Sequence, residues 1–121
     1  MDKWHTGAQY NGRMAWGGSA HGTTGIAWAL TKLGRVTGNS LHLKTAALAF
    51  AFEESLFDIA EQNWLDMRVT EQKMTAAAWC HGACGIGLAH VDLDPHFHIP
   101  STLLQLRRAT AATWRFGLGW N

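Results

Sequence analysis

Two short runs in this sequence place reactive side chains at a sharp turn. His21-Gly22-Thr23-Thr24-Gly25-Ile26 puts an imidazole before a glycine; Cys80-His81-Gly82-Ala83-Cys84-Gly85-Ile86 adds a thiol beside the imidazole. Imidazole titrates near neutral pH and can give or take a proton. A thiolate is a nucleophile and a soft metal ligand. Histidine followed by glycine, with a second glycine three residues on, lets the chain turn sharply into a helix and approach a neighbour closely. Side chains just before that helix point along its N-terminal end, where the macrodipole favours a thiolate and lowers a cysteine pKa. A single His-Gly-x-x-Gly is as readily a plain turn holding a hydrogen-bonded histidine. Two copies in step, one with a cysteine, favour a functional pair.

The elements that position these residues follow from the spacing. The shared pattern His-Gly-x-x-Gly-Ile-x-x-Ala recurs sixty residues apart, at His21 and His81. A period of that length with helical content suggests a solenoid or ring of helix pairs, with His21, Cys80 and His81 at one end of its cavity. Ile26, Leu30 and Leu33 mark one face of a first helix, which Gly34 is expected to close. Ser40 reads as the N-cap of a second helix running to about Ala60, with Leu41, Leu48, Phe52, Leu56 and Ile59 as its stripe and Leu43, Ala47 and Phe50 widening it. Residues 62–73 read as a polar loop containing Asn63-Trp64-Leu65-Asp66-Met67-Arg68, with Asp66 and Arg68 as an ion pair. The second motif opens a third helix that fades near Asp92. Asp94-Pro95 and Ile99-Pro100 mark a connection, and Ser101 is expected to cap a fourth helix ending near Arg115. Nothing alternates with strand period, so the class is all-α. Trp28, Trp79 and Trp114 are expected to pack between layers of helices. His90, His96 and His98 read as solvated loop histidines, and Cys84 as a small buried apolar residue.

Composition narrows the function classes. Ten Lys and Arg against nine Asp and Glu leave a net charge of +1, which gives no electrostatic reason to expect nucleic acid or an anionic membrane. No apolar run reaches membrane-spanning length, and the N-terminus lacks the apolar region of a secretory signal. Two cysteines so close together make no disulfide framework, so a reducing, cytoplasmic setting is expected. Charged residues are only 16% of the chain, which implies that much of its surface is covered.

Gly17-Gly18-Ser19-Ala20-His21-Gly22-Thr23-Thr24-Gly25-Ile26 resembles the first signature of the lanthionine synthetase C-like family. Trp79-Cys80-His81-Gly82-Ala83-Cys84-Gly85-Ile86-Gly87-Leu88-Ala89 resembles its second, with Cys84 standing where family members usually have proline. Phe52-Glu53-Glu54-Ser55-Leu56-Phe57, the Asn63–Arg68 run and the ending Gly117-Leu118-Gly119-Trp120-Asn121 are similar to segments of the large two-domain synthetases of class II lanthipeptides. The resemblance implies part of an α/α toroid of nested helical rings, with about four helices present. It implies a zinc-dependent cyclase that adds peptide cysteine thiols to dehydroalanine or dehydrobutyrine in a dehydrated precursor peptide. The family's zinc is held by one cysteine of the second signature and a Cys-His pair of a third. Cys80 matches the former and the third signature is not found, so one of three expected protein ligands is present. His21 takes the place of the family's acid/base. His81 is expected beside the metal as a packing or hydrogen-bonding residue, with ligation kept open. On this reading residues 1–121 are a piece of a cyclase domain that lacks its first helices and its last zinc signature, inactive alone and prone to self-association. Two rivals stay open: a non-catalytic peptide- or partner-binding scaffold of the same fold, and a local metal or redox site of Cys80, His81 and Cys84.

Overall fold

The structure, a computed structural model, describes residues 22–65, 75, 77 and 82–117. Four helices dominate: α1 (Thr23–Thr37), α2 (Ser40–Ser55), α3 (Ala83–Leu93) and α4 (Pro100–Phe116). A two-stranded ribbon, β1 (Phe57–Asp58) and β2 (Asn63–Trp64), lies between α2 and α3. The all-α expectation holds, with the helices in the order and number read from the sequence.

Their ends correct that reading in physical detail. Gly34 does not close α1. The helix continues to Thr37 and stops at Gly38, whose φ of 70° is left-handed and whose N–H bonds Gly34 O at 2.9 Å. Asn39, not Ser40, caps α2 by accepting the Leu41 N–H at 2.9 Å. The second helix ends at Ser55, short of Ala60, because the chain turns there into the ribbon. Ser101 lies inside α4, which starts at Pro100, where a proline loses no hydrogen bond. No side chain caps α4; Asp94 instead ties down the connection before it, accepting the N–H groups of His98 at 3.0 Å and Ile99 at 2.9 Å and the Thr102 hydroxyl at 2.7 Å. Those bonds, the Ile99 N–H first, hold its carboxyl below the usual carboxylate range.

Small residues make the helix crossings. Gly34 faces Leu43 and Thr24 bonds Glu53, so α1 and α2 form an antiparallel hairpin. Gly87 faces Ala109 and Asp94 bonds Thr102, so α3 and α4 form another. Ala27, Ala46 and Ala49 fill the first crossing; Ala83, Ile86, Ala109 and Ala112 belong to the core around the second. The expected stripe of α2 splits: Leu56 is buried and Phe52 packs against the same core, whereas Leu41, Leu48 and Ile59 are 64%, 57% and 70% exposed. Helices that approach on alanine and glycine leave their longer side chains on the flanks. The tryptophans follow the same logic: Trp28 and Trp114 are exposed, and among the described residues Trp64 of the ribbon is the largest buried side chain. It packs edge-on to Phe57, centroids 4.9 Å apart. Trp79 and the Asp66–Arg68 pair lie outside the described residues.

The sixty-residue period extends to whole elements. Thr23 and Ala83 open α1 and α3; Ser40 and Pro100 open α2 and α4. Even the crossings correspond: Ala27 with Ala49 in one hairpin, Gly87 with Ala109 in the other. The repeating unit is a helical hairpin.

These crossings make opposite predictions for two glycines. A Cβ at Gly87 would lie 2.5 Å from Ala109 Cβ, an atom fixed to the backbone of α4. Gly87→Ala should therefore destabilise by about 1–3 kcal/mol of overpacking, against a gain of about 1 kcal/mol in helix propensity. At Gly34 a Cβ would meet Leu43 Cδ2 at 2.7 Å and Cγ at 2.8 Å, in a side chain 40% exposed that can rotate away, and His42 Cβ only at 3.3 Å. Gly34→Ala should leave the melting temperature unchanged or higher. Thermal unfolding followed by circular dichroism distinguishes them, and a stabilised Gly87→Ala chain would contradict the close approach.

Candidate functional site

Helices α1 and α3 carry the two motifs, and they lie side by side. Gly25 and Gly85 line one cleft of about 450 Å3 together with Trp28, Ala29, Leu88, Ala89 and Asp92. Seven residues beyond each glycine, Lys32 Nζ meets Asp92 Oδ2 at 2.9 Å. The helices thus run in the same direction, and their N-termini lie at one end of the assembly. Trp28 Nε1 donates to Asp92 Oδ2 at 2.7 Å, and the Lys32 ammonium sits 5.5 Å from the Trp28 ring centroid. The Lys32 hydrogen bond first, then that of Trp28, holds the Asp92 carboxyl below its ordinary range.

The glycines that open the motifs have different local tasks. Gly82 has φ 105°, a conformation side chains rarely adopt, and pairs with Ala77 in an isolated bridge. Gly22 is extended at φ −133° and is buried. Each helix then closes its first turn identically, Ile26 N–H to Gly22 O at 3.4 Å and Ile86 N–H to Gly82 O at 3.2 Å. Neither N-terminus has a side-chain cap, and each turns its positive dipole end toward what precedes it; in α3 the Cys84 N–H already donates to Ala77 O at 3.2 Å. In sequence those preceding residues are His21 and the pair Cys80-His81, all three outside the described residues.

A buried polar knot fixes this arrangement, and sequence reasoning missed it. Glu53 on α2 is 1% exposed. It accepts a hydrogen bond from the Thr24 hydroxyl in the first turn of α1, and its other oxygen lies 2.9 Å from His90 Nε2 on α3. The His90 ring stacks at a tilt on Phe50, centroids 4.8 Å apart. His90 is therefore no solvated loop residue; it sits on α3, mostly covered. The available signal was a carboxylate at the i+4 and i+7 positions from Ala49 and Ala46, inside the face that proves buried. Next to it, Glu54 takes Gln105 Nε2 and Arg108 Nη1, each at 2.6 Å. Burial raises the Glu54 pKa, but these two hydrogen bonds outweigh it and hold the carboxyl low. Arg108 also lies over the Phe57 ring at 4.1 Å.

Cys84 is a free thiol, only half-buried, in a groove between α3 and α4. His96 and His98 are exposed, their rings 5.8 Å apart. Among the described residues no three His, Cys, Asp or Glu side chains are grouped to hold a metal. The expected zinc ligand, Cys80, lies outside the described residues. No described helix is long and apolar enough to cross a membrane.

The family model described as Lanthionine synthetase C-like protein matches residues 4–121 of the chain. No curated protein matches the chain.

Proposed function

From the premise that this chain belongs to the lanthionine synthetase C-like family, we propose that it forms part of a cyclase that closes thioether rings in a dehydrated precursor peptide. The observation that carries the reading is the parallel packing of α1 and α3, which brings the ends of both signature helices to one side. Within the family we read the chain as part of the cyclase domain of a large class II synthetase, on the resemblance of its Asn63–Arg68 run and its Gly117–Asn121 ending. Residues 1–121 carry the runs that resemble two of the family's signatures.

The reaction adds S–H across a carbon–carbon double bond. The sulfur of a peptide cysteine, as thiolate, bonds to the β-carbon of dehydroalanine or dehydrobutyrine, and the π pair moves to an enolate. His21 delivers a proton to the α-carbon of that enolate, as a general acid with a pKa near neutrality can. The thiol's own proton leaves to solvent, so the atoms balance with no oxidant or reductant. Cys80 is the zinc ligand by resemblance, with His81 next to it in sequence as a supporting residue or a further ligand. A reducing, cytoplasmic setting suits a reaction that consumes free thiols.

The experiment is to give the polypeptide that carries this chain and its flanking signatures a dehydrated peptide with one free cysteine. Loss of the alkylatable thiol without change in peptide mass is the expected result. A thiol that persists at the uncatalysed rate, with the peptide bound, favours the scaffold alternative.

A further inference from the structure

Equivalent positions of the sixty-residue repeat line the cleft between α1 and α3: Gly25 with Gly85, Trp28 with Leu88, and Ala29 with Ala89. Helices packed side by side in a repeat touch through non-equivalent flanks. Equivalent positions share one surface only on a face that both helices turn the same way. Ala27 of α1 packs on Ala46 and Ala49 of α2, and Gly87 of α3 packs on Ala109 of α4. At about 100° per residue, Gly25, Ala29 and Lys32 lie within about 40° of the direction opposite Ala27. Gly85, Ala89 and Asp92 lie likewise opposite Gly87. The cleft is therefore the inner face of a two-layer arrangement, with α2 and α4 behind it.

Its lining is shaped for an apolar side chain. Glycine and alanine hollow it to about 450 Å3, within the range of ligand-binding clefts. Trp28 forms one wall and is 40% exposed. The indole is held in place: its Nε1–H donates to Asp92 at 2.7 Å, and the Lys32 ammonium lies 5.5 Å from its centroid. A fixed aromatic surface binds at little cost in side-chain entropy. Lys32 and Asp92 pair at 2.9 Å and neutralise each other, so the cleft offers apolar contact and no net charge.

Length and position point to the occupant. The cleft starts at Gly25 and Gly85, in the first turns of the two signature helices, and reaches Asp92 seven residues on. Seven residues of helix rise about 10 Å, the span of about three residues of extended chain. A peptide whose cysteine reacts at the signature ends lays its next few residues against Trp28.

We infer that this cleft is a subsite for the residues flanking the ring-forming cysteine, that it takes a large apolar side chain, and that Trp28 is its specificity-determining residue. The identity of the peptide rests on the cyclase reading.

Two fluorescein-labelled peptides test it, each with one dehydroalanine and one cysteine. They differ only beside the cysteine, with phenylalanine on both sides in one and glycine in the other. Fluorescence anisotropy measures their binding to the polypeptide that carries this chain and its flanking signatures. Thiol alkylation and mass spectrometry follow ring closure in the same samples. The phenylalanine peptide should bind about tenfold or more tightly than the glycine peptide, the preference that burial of an aromatic side chain confers. Trp28→Ala should bring that ratio close to one, and Trp28→Phe should keep most of it. Leu88→Glu, at a side chain 62% exposed, should lower the ratio without disturbing the fold, which far-UV circular dichroism checks for each variant. Equal affinities in the parent, or a ratio unchanged by Trp28→Ala and Leu88→Glu, overturn the subsite whether or not rings close. A Trp28-dependent ratio without ring closure keeps the subsite and defeats the cyclase reading instead.

Discussion

Glu53→Ala should lower the stability of the chain by about 3 kcal/mol, a fall in melting temperature of about 10 °C for a domain of this size. The carboxylate is the only described group that joins three helices, taking Thr24 of α1 and His90 of α3 while itself on α2. Its removal leaves the buried Thr24 hydroxyl and the largely covered His90 Nε2 without their partner, each worth about 1–3 kcal/mol, and opens a cavity. Glu53→Gln keeps the shape and can still bond both neighbours, so it should lose clearly less. A double-mutant cycle of Glu53→Ala with His90→Ala should show a coupling of about 1 kcal/mol or more, as contacting residues do. Calorimetric melting measures all of these. A loss below about 1 kcal/mol for Glu53→Ala would mean that alanine packing, not the knot, joins the hairpins.

The second large effect concerns chemistry. In the complete cyclase, His21→Asn should slow ring closure about a hundredfold or more, the contribution of a positioned general acid. Zinc content and affinity for the dehydrated peptide should stay at the parent level, because asparagine can keep a hydrogen bond but cannot supply the proton. Single-turnover measurement of thiol loss, beside a peptide-binding titration, separates the two effects. Equal loss of zinc would make His21 a structural residue.

Much of this molecule was legible before its structure because the informative features were local or periodic. The repeat at His21 and His81 announced a helical hairpin unit, and the period persists through Thr23 and Ala83, then Ser40 and Pro100. Glycines and prolines located the turns to within a few residues. Which glycine closes a helix was not legible: Gly34 and Gly38 lie four apart, and only the approach of Leu43 assigns Gly34 to a crossing. Apolar periodicity misplaced the core for a related reason. Leu41 and Leu48 have the right spacing for a buried stripe, but the helices meet on Ala46 and Ala49, and small residues carry little weight in a hydrophobic pattern. The Glu53–His90 knot joins residues thirty-seven positions apart, and no local rule pairs them. Of the site itself, His21, Cys80 and His81 were named from motif and resemblance; what the structure adds is the shared direction of the helices they precede.

The most direct measurement is zinc per chain in the polypeptide that carries these residues with the full set of family signatures, compared with its Cys80→Ala variant. Three protein ligands hold a catalytic zinc, and the loss of one thiolate should empty the site. The parent should contain one zinc per chain and close thioether rings, and Cys80→Ala should lose both. A Cys80→Ala protein that retains its zinc would contradict the assignment and reduce the second signature to a helix turn.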